Sequence, residues 1–153
     1  AGVERIAVVL GHHAASIRAA VDLGDAQVVL NQEYRRGQTT SLQAGLRALE
    51  PMSPSAVLLC LVDHPAVSAE TVRTLCRAFQ EGHAPVVAPS HRGRHGHPVV
   101  ISRELFQELL NLPPDEGANR VVGRYRDKAE WVEVDDPGVL LDIDNPADYA
   151  AFC

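Results

Sequence analysis

Residues 56–62, AVLLCLV, form an unbroken apolar run that stops at Asp63, after which His64 and Pro65 turn the chain. A run of this length, bounded by turn residues, suits a strand buried on both faces, as in a parallel sheet covered by helices. Other segments fall into step with it. Strands are expected at Arg5–Leu10, Gln27–Leu30, Ala56–Val62, Pro85–Ala88, Pro98–Ile101, Glu130–Val134 and Val139–Ile143. Helices are expected at Ala14–Val21, Ser41–Leu49, Glu70–Phe79, Glu104–Leu110, Ala118–Tyr125 and Pro146–Phe152. In the third helix Val72, Leu75, Cys76 and Phe79 make one apolar stripe, with Ser68 placed to cap it. Alternating strands and helices predict an α/β fold with a mostly parallel sheet. No repeat, linker or low-complexity stretch interrupts the pattern.

At 153 residues the chain suits one domain, 1–153, with a core burying roughly two-thirds of the unfolded surface. A formal charge of -6 and the lack of a basic run argue against a nucleic-acid partner. No apolar stretch approaches the ~20 residues of a membrane span. The start, AGVERIAVVL, has no basic region leading into a long apolar segment, so it does not read as a secretory signal. Three cysteines, Cys60, Cys76 and Cys153, lack metal spacing. Cys60 and Cys76 are expected to be buried thiols in a reduced, cytoplasmic protein.

In open parallel sheets, ligands bind beyond the carboxyl ends of strands. Asp63 stands at such an end, where a carboxylate suits an oxygen-liking cation such as Mg2+; a turn or capping role is the plainer alternative. His64 suits turn packing or substrate contact better than metal ligation. In NQEYRRGQTTSLQAGL, residues 31–46, two arginines precede a Gly-Gln-Thr-Thr-Ser helix start. That arrangement fits an anion or nucleotide, or an ordinary capped helix. Gly45, inside this helix, is expected to pack closely on a neighbour or ligand. The loop SHRGRHGHPVVIS, residues 90–102, holds His91, His95 and His97, but their spacing matches no standard zinc pattern. A substrate-facing loop is expected there. In VDDPGVLLDIDNPADY, residues 134–149, Asp142 and Asp144 would share one face of a strand and offer a second acidic metal ligand, or else cap the last helix.

The segments VVLGHH, VVLNQEYRRGQTTSLQAGL, LLCLVDHPAVS, PVVAPSHRGRHGHPVVIS and GVLLDIDNPADY, in this order, resemble the molybdenum cofactor cytidylyltransferase group of the MobA-like NTP transferase family. The resemblance implies a Rossmann-like, three-layer α/β/α sandwich of the nucleotide-diphospho-sugar transferase type. It implies transfer of a nucleotide from CTP or GTP to a phosphate-bearing acceptor such as molybdopterin, with Mg2+ and release of pyrophosphate. Asp63 resembles the family's metal-binding, catalytic aspartate, with Val62 and His64 in place of the Gly and Gln of Gly-Asp-Gln-Pro. Asn31, Gly37 and Ser41 match the nucleotide side. Gly96, His97 and Pro98 match the Gly-His-Pro loop of the acceptor side, and His64 is a further candidate substrate contact. Asp142 and Asp144 match Asp-Ile-Asp-Thr-Pro, with Asn145 replacing Thr, and either could complete the metal site.

The family's opening strand, its Leu-Ala-Ala-Gly-x-Ser-x-Arg-Met-Gly loop and the following lysine have no counterpart in these residues. Ala1-Gly2-Val3 reads as the end of a helix. The expectation is a piece of a longer enzyme, active at full length, whose first strand would lie inside the sheet. As given, inner sheet edges would be exposed and available for homo-oligomer pairing. Two other readings compete: a non-catalytic nucleotide or sugar-nucleotide binding domain, and a flavodoxin-like regulatory module with Asp63 as phosphoacceptor.

Overall fold

The computed structural model describes residues 3–152. The expected end of a helix at Ala1–Gly2, and Cys153, lie outside the described residues. The chain divides into two compact units, one of residues 56–103 and 125–152, the other of residues 3–55 and 104–124.

The second of these units opens with β1 (Ala7–Leu10), α1 (Ala14–Ala20) and β2 (Gln27–Leu30). The two strands pair in parallel, Ala7 opposite Gln27 and Leu10 opposite Leu30. Helix α2 (Gln38–Leu49) packs on β1, with Gly45 against Val9, as close packing at that glycine predicts. Helices α4 (Phe106–Leu110) and α5 (Asn119–Arg124) complete the unit. Its core holds Leu46, Leu105, Phe106, Leu109 and Val121. Gln43 is buried with them, and its amide group donates to the carbonyls of Leu109, Leu110 and Leu112 at 2.9–3.2 Å. The Leu109 and Leu110 carbonyls lie in the last turn of α4 and that of Leu112 just beyond it; Leu109 also accepts from the Leu112 amide at 3.3 Å.

The other unit contains β3 (Ala56–Leu59), α3 (Ala69–Gly82), β4 (Val86–His91), β5 (Arg94–His95), β6 (Val99–Ser102), β7 (Glu130–Glu133) and α6 (Pro146–Phe152). Its five-stranded sheet runs β3-β6-β4-β5, with β7 on β4. Leu75 of α3 meets Val87 and Val100 of the sheet, and Leu58, Phe79 and Val132 pack around them. Burying such a leucine is worth about 1.5–3 kcal/mol. Ser68 caps α3 as expected, its Oγ accepting from the Thr71 amide at 3.1 Å.

The α/β class stands, but the sheet is mixed rather than mostly parallel. β3–β6, β4–β6 and β4–β5 are antiparallel; β1–β2 and β4–β7 are parallel. Only residues 92–98 join β4 to β6, too few for the crossover that a parallel pair requires. β3 is also shorter than its apolar run. Leu59 pairs with Val99, and the next residue on β6's side is Pro98, which has no N–H to continue the ladder. Cys60 is therefore an exposed loop residue, not a buried thiol, and Val62 is 99% exposed. The expected strand at Val139–Ile143 is instead a 3-10 turn over Pro137–Leu140 followed by chain that belongs to no strand. Asp136 caps that turn, and Pro137 fits its first position. Asp142 and Asp144 thus do not share a strand face.

Candidate functional site

Asp63 lies in the turn after β3. Its carbonyl accepts from the Ile143 amide at 2.8 Å, so the segment bearing Asp142 and Asp144 is tied to the aspartate loop through the residue between them. The side-chain atom Oδ1 of Asp63 is buried and has no hydrogen-bond partner in the protein, as are Nδ1 of His64 and Nδ1 of His97. The two imidazoles stand 5.1 Å apart, centroid to centroid. Burial, and then the neighbouring His64, push His97 below the usual histidine value, with Asp63 opposing.

The Gly-His-Pro loop reaches this place through backbone contacts. Gly96 donates to the Pro89 carbonyl and His97 to the Val139 carbonyl, at 3.0 and 2.9 Å. A Cβ on Gly96 would fall on the Val139 carbonyl oxygen, so the close approach demands glycine. Asp63, His64, Gly96, His97 and Pro98 are thereby held around the 137–143 segment.

Asp142 and Asp144 are exposed, and Asn145 takes the capping role at α6, its Oδ1 accepting from Ala147 and Asp148. Among the described residues no three His, Cys, Asp or Glu side chains form a ready cage for a metal. A hard cation such as Mg2+ needs no such cage, since it typically takes one or two carboxylates and fills its sphere with water and substrate phosphate. A buried carboxylate oxygen without a partner, beside a segment with two further carboxylates, fits that kind of ion.

Sequence reasoning passed over Asp136. It is 9% exposed; Oδ2 accepts from the Ser68 amide at 2.9 Å and the Thr71 hydroxyl at 2.6 Å, and Oδ1 from the Gly138 amide at 3.0 Å. Burial raises its pKa, but these hydrogen bonds together outweigh burial and hold it below the ordinary carboxylate value. It pins the start of α3 to the 3-10 turn behind the Asp63 loop. The Asp-Pro-Gly triplet was the available signal.

The three loop histidines part company. His91 bonds the Val134 carbonyl at 2.9 Å, His95 stacks on Trp131 at 3.7 Å and 8°, and His97 faces His64.

In the other unit, Asn31 is buried where β2 ends. Its Nδ2 donates to Thr40 Oγ1 and Ser41 Oγ at 2.8 and 2.9 Å, and its Oδ1 accepts from the Glu33 amide at 2.9 Å. The side chain binds loop to helix. Gly37 precedes α2 at φ 132°, ψ 162°, and a Cβ there would collide with the Pro114 carbonyl. Arg36 pairs with Glu33 at 2.8 Å, and Arg35 lies over the Tyr34 ring.

A family profile described as the MobA-like NTP transferase domain matches residues 1–129. The chain belongs to the MobA-like NTP transferase family. It is similar to the purine catabolism protein PucB of Bacillus subtilis, 31% identical over 119 residues, which cover 77% of this chain and 57% of PucB. It is also similar to the molybdenum cofactor cytidylyltransferase of Escherichia coli, 23% identical, covering 80% of this chain and 59% of the relative. The chain thus spans less than two-thirds of either curated relative. The crystal structure of Rv0371c from Mycobacterium tuberculosis aligns with TM-score 0.85 and 29% identity over 99% of this chain and 76% of that one. The same protein in complex with manganese aligns with TM-score 0.81 and 27% identity, over 99% of this chain and 78% of that one. Structural neighbours include Rossmann-like nucleotidyltransferases, which is the fold class expected from the sequence.

Proposed function

We propose that this MobA-like domain, residues 1–153, serves a longer nucleotidyltransferase that moves a nucleotide from CTP or GTP to a phosphate-bearing acceptor and releases pyrophosphate. The observation that carries the proposal is the buried, unpartnered Oδ1 of Asp63, at the carboxyl end of β3 and tied through its backbone to the Asp142–Asp144 segment. Family membership and the manganese complex of Rv0371c support it.

In this reading Asp63, with Asp142 or Asp144, holds Mg2+. A divalent cation so bound offsets charge developing at the α-phosphate and helps align donor and acceptor. The protein's own work is orientation. His64, on the Asp63 turn, and His97, on the Gly96–Pro98 loop, carry unmet ring nitrogens and contact the acceptor. Gly37 sets the entry into α2 against the Pro114 carbonyl, and that helix start is the nucleotide side. Asn31 holds that start in place, and Ser41, which accepts from Asn31, keeps its own proton to donate. No protein nucleophile is needed. A molybdopterin acceptor follows the similarity to the cytidylyltransferase, and a cytoplasmic location follows the free thiols of Cys60 and Cys76.

Asp63→Asn in the full-length protein tests the assignment. Turnover, followed as pyrophosphate released in the presence of Mg2+, is expected to fall at least 100-fold while the circular dichroism spectrum stays unchanged, on the scale of losing a main electrostatic contributor. Normal turnover would remove Asp63 from the site. Nucleotide binding with no pyrophosphate release by the unaltered full-length protein would instead mark a binding domain.

A further inference from the structure

Residues 137–143 touch both loops of the site. The Ile143 amide bonds the Asp63 carbonyl at 2.8 Å, and the Val139 carbonyl accepts from the His97 amide at 2.9 Å. Asp63 and His97 each carry a buried side-chain atom without a partner, and their backbones are bonded to this one segment. After the 3-10 turn, residues 141–144 belong to no strand or helix. No ladder of backbone hydrogen bonds therefore fixes where the segment lies.

Asp136 supplies the fastening. Its Oδ1 accepts from the Gly138 amide at 3.0 Å, inside the turn. Its Oδ2 accepts from the Ser68 amide at 2.9 Å and the Thr71 hydroxyl at 2.6 Å, at the start of α3. Bonds to an ionised carboxylate are roughly twice as strong as neutral ones, and with Asp136 9% and Thr71 3% exposed, little water competes for them. The turn and the Asp63 loop also meet closely, since a Cβ on Gly138 would fall on the Ala66 carbonyl oxygen. The stretch 63–68 is thus held at one end by Ile143 and at the other by Gly138 and Asp136. A helix cap alone does not account for this arrangement. Ser68 Oγ already caps α3, and Asp136 divides its oxygens between the helix start and the turn.

We infer that Asp136 is a positioning residue for the reaction. By clamping the 137–140 turn to the start of α3, it sets where Asp63 stands relative to His97. The inference rests on the reading of Asp63 as the holder of a divalent cation, and it adds the residue that keeps that carboxylate in place.

Mn2+ binding to the full-length protein, followed by the electron paramagnetic resonance signal of the free ion, tests it without turnover. Wild type is expected to bind, and Asp63→Asn to lose binding. Asp136→Asn and Thr71→Val, each checked for folding by circular dichroism, are expected to bind about tenfold and about threefold more weakly, on the scale of losing a group that supports a metal ligand. Leu109→Ala, which opens a cavity in the other unit, is expected to lower the urea midpoint and leave Mn2+ affinity unchanged. Wild-type affinity in folded Asp136→Asn would overturn the positioning role and leave Asp63 standing; should that variant not fold, wild-type affinity in Thr71→Val would do the same. An equal loss of affinity in Leu109→Ala would also overturn it, because general loosening would then account for the effect. Absence of binding by wild type, or wild-type affinity in Asp63→Asn, would overturn the reading of Asp63 and this inference with it.

Discussion

Asp136 and Asp63 are both carboxylates at loop-to-helix corners of one unit, and their surroundings assign them opposite work. Both oxygens of Asp136 accept hydrogen bonds, from Ser68, Thr71 and Gly138, whereas Oδ1 of Asp63 is buried with nothing to accept from. A satisfied buried carboxylate stabilises; an unsatisfied one is costly unless a ligand completes it. Asp136→Asn places an amide N–H against donors, and a loss of about 2 kcal/mol is expected from urea unfolding at neutral pH. Because the folded-state pKa of Asp136 is lowered, its contribution is complete above the unfolded-state pKa of an aspartate. It disappears as pH falls through the lower folded value. The stability gap between wild type and Asp136→Asn should therefore close in acid, and a gap independent of pH would contradict this role. The Asp-Pro-Gly triplet marks a turn at Asp136 but not the partners that bury it. Asp63 was legible as a strand-end carboxylate, but the partners of Asp136 lie 65 and 68 residues away.

Among the elements, α2 depends on an entry that only glycine can make. At Gly37 a Cβ would strike the Pro114 carbonyl, and φ is positive. Gly37→Ala is expected to cost on the order of 1–3 kcal/mol in unfolding free energy, read as a lower urea midpoint with an unchanged slope. An unchanged midpoint would show that the 113–117 loop yields freely. Most elements were legible because their apolar spacing is local. The 3.6-residue stripe of α3 and the start of β3 both appear where expected. The exceptions have a shared cause. The end of β3 is set by Pro98 on its partner, and the 137–140 turn by Asp136 and Pro137, so apolar content alone misjudged both.

At the scale of the whole molecule, each unit has a strand paired on one side among the described residues: β1 pairs with β2, and β3 with β6. Both are wholly apolar, AVVL and AVLL, while β7 carries Glu130 and Glu133. Charged residues guard sheet edges; bare apolar edges template pairing with another strand. The 153-residue chain is therefore expected to self-associate in solution, seen in sedimentation as a concentration-dependent mass above that of one chain. A single-chain mass at every concentration would count against it. No helix among the described residues is long and apolar enough to cross a membrane.

The amino-acid sequence by itself determined the α/β alternation, the stripe and cap of α3, and the loops that carry Asp63, Asn31, Gly37 and the Gly-His-Pro triplet. Each of these is written in spacing over a few residues. The tertiary structure alone decided that β6 enters the sheet antiparallel and that Cys60 is exposed. It also decided that the three loop histidines take unrelated partners, and that Asp136 rather than Asp142 or Asp144 is the buried hydrogen-bonded aspartate. Those outcomes turn on which distant backbone groups come into register, and hydrogen bonding between remote segments leaves no periodic trace along the chain.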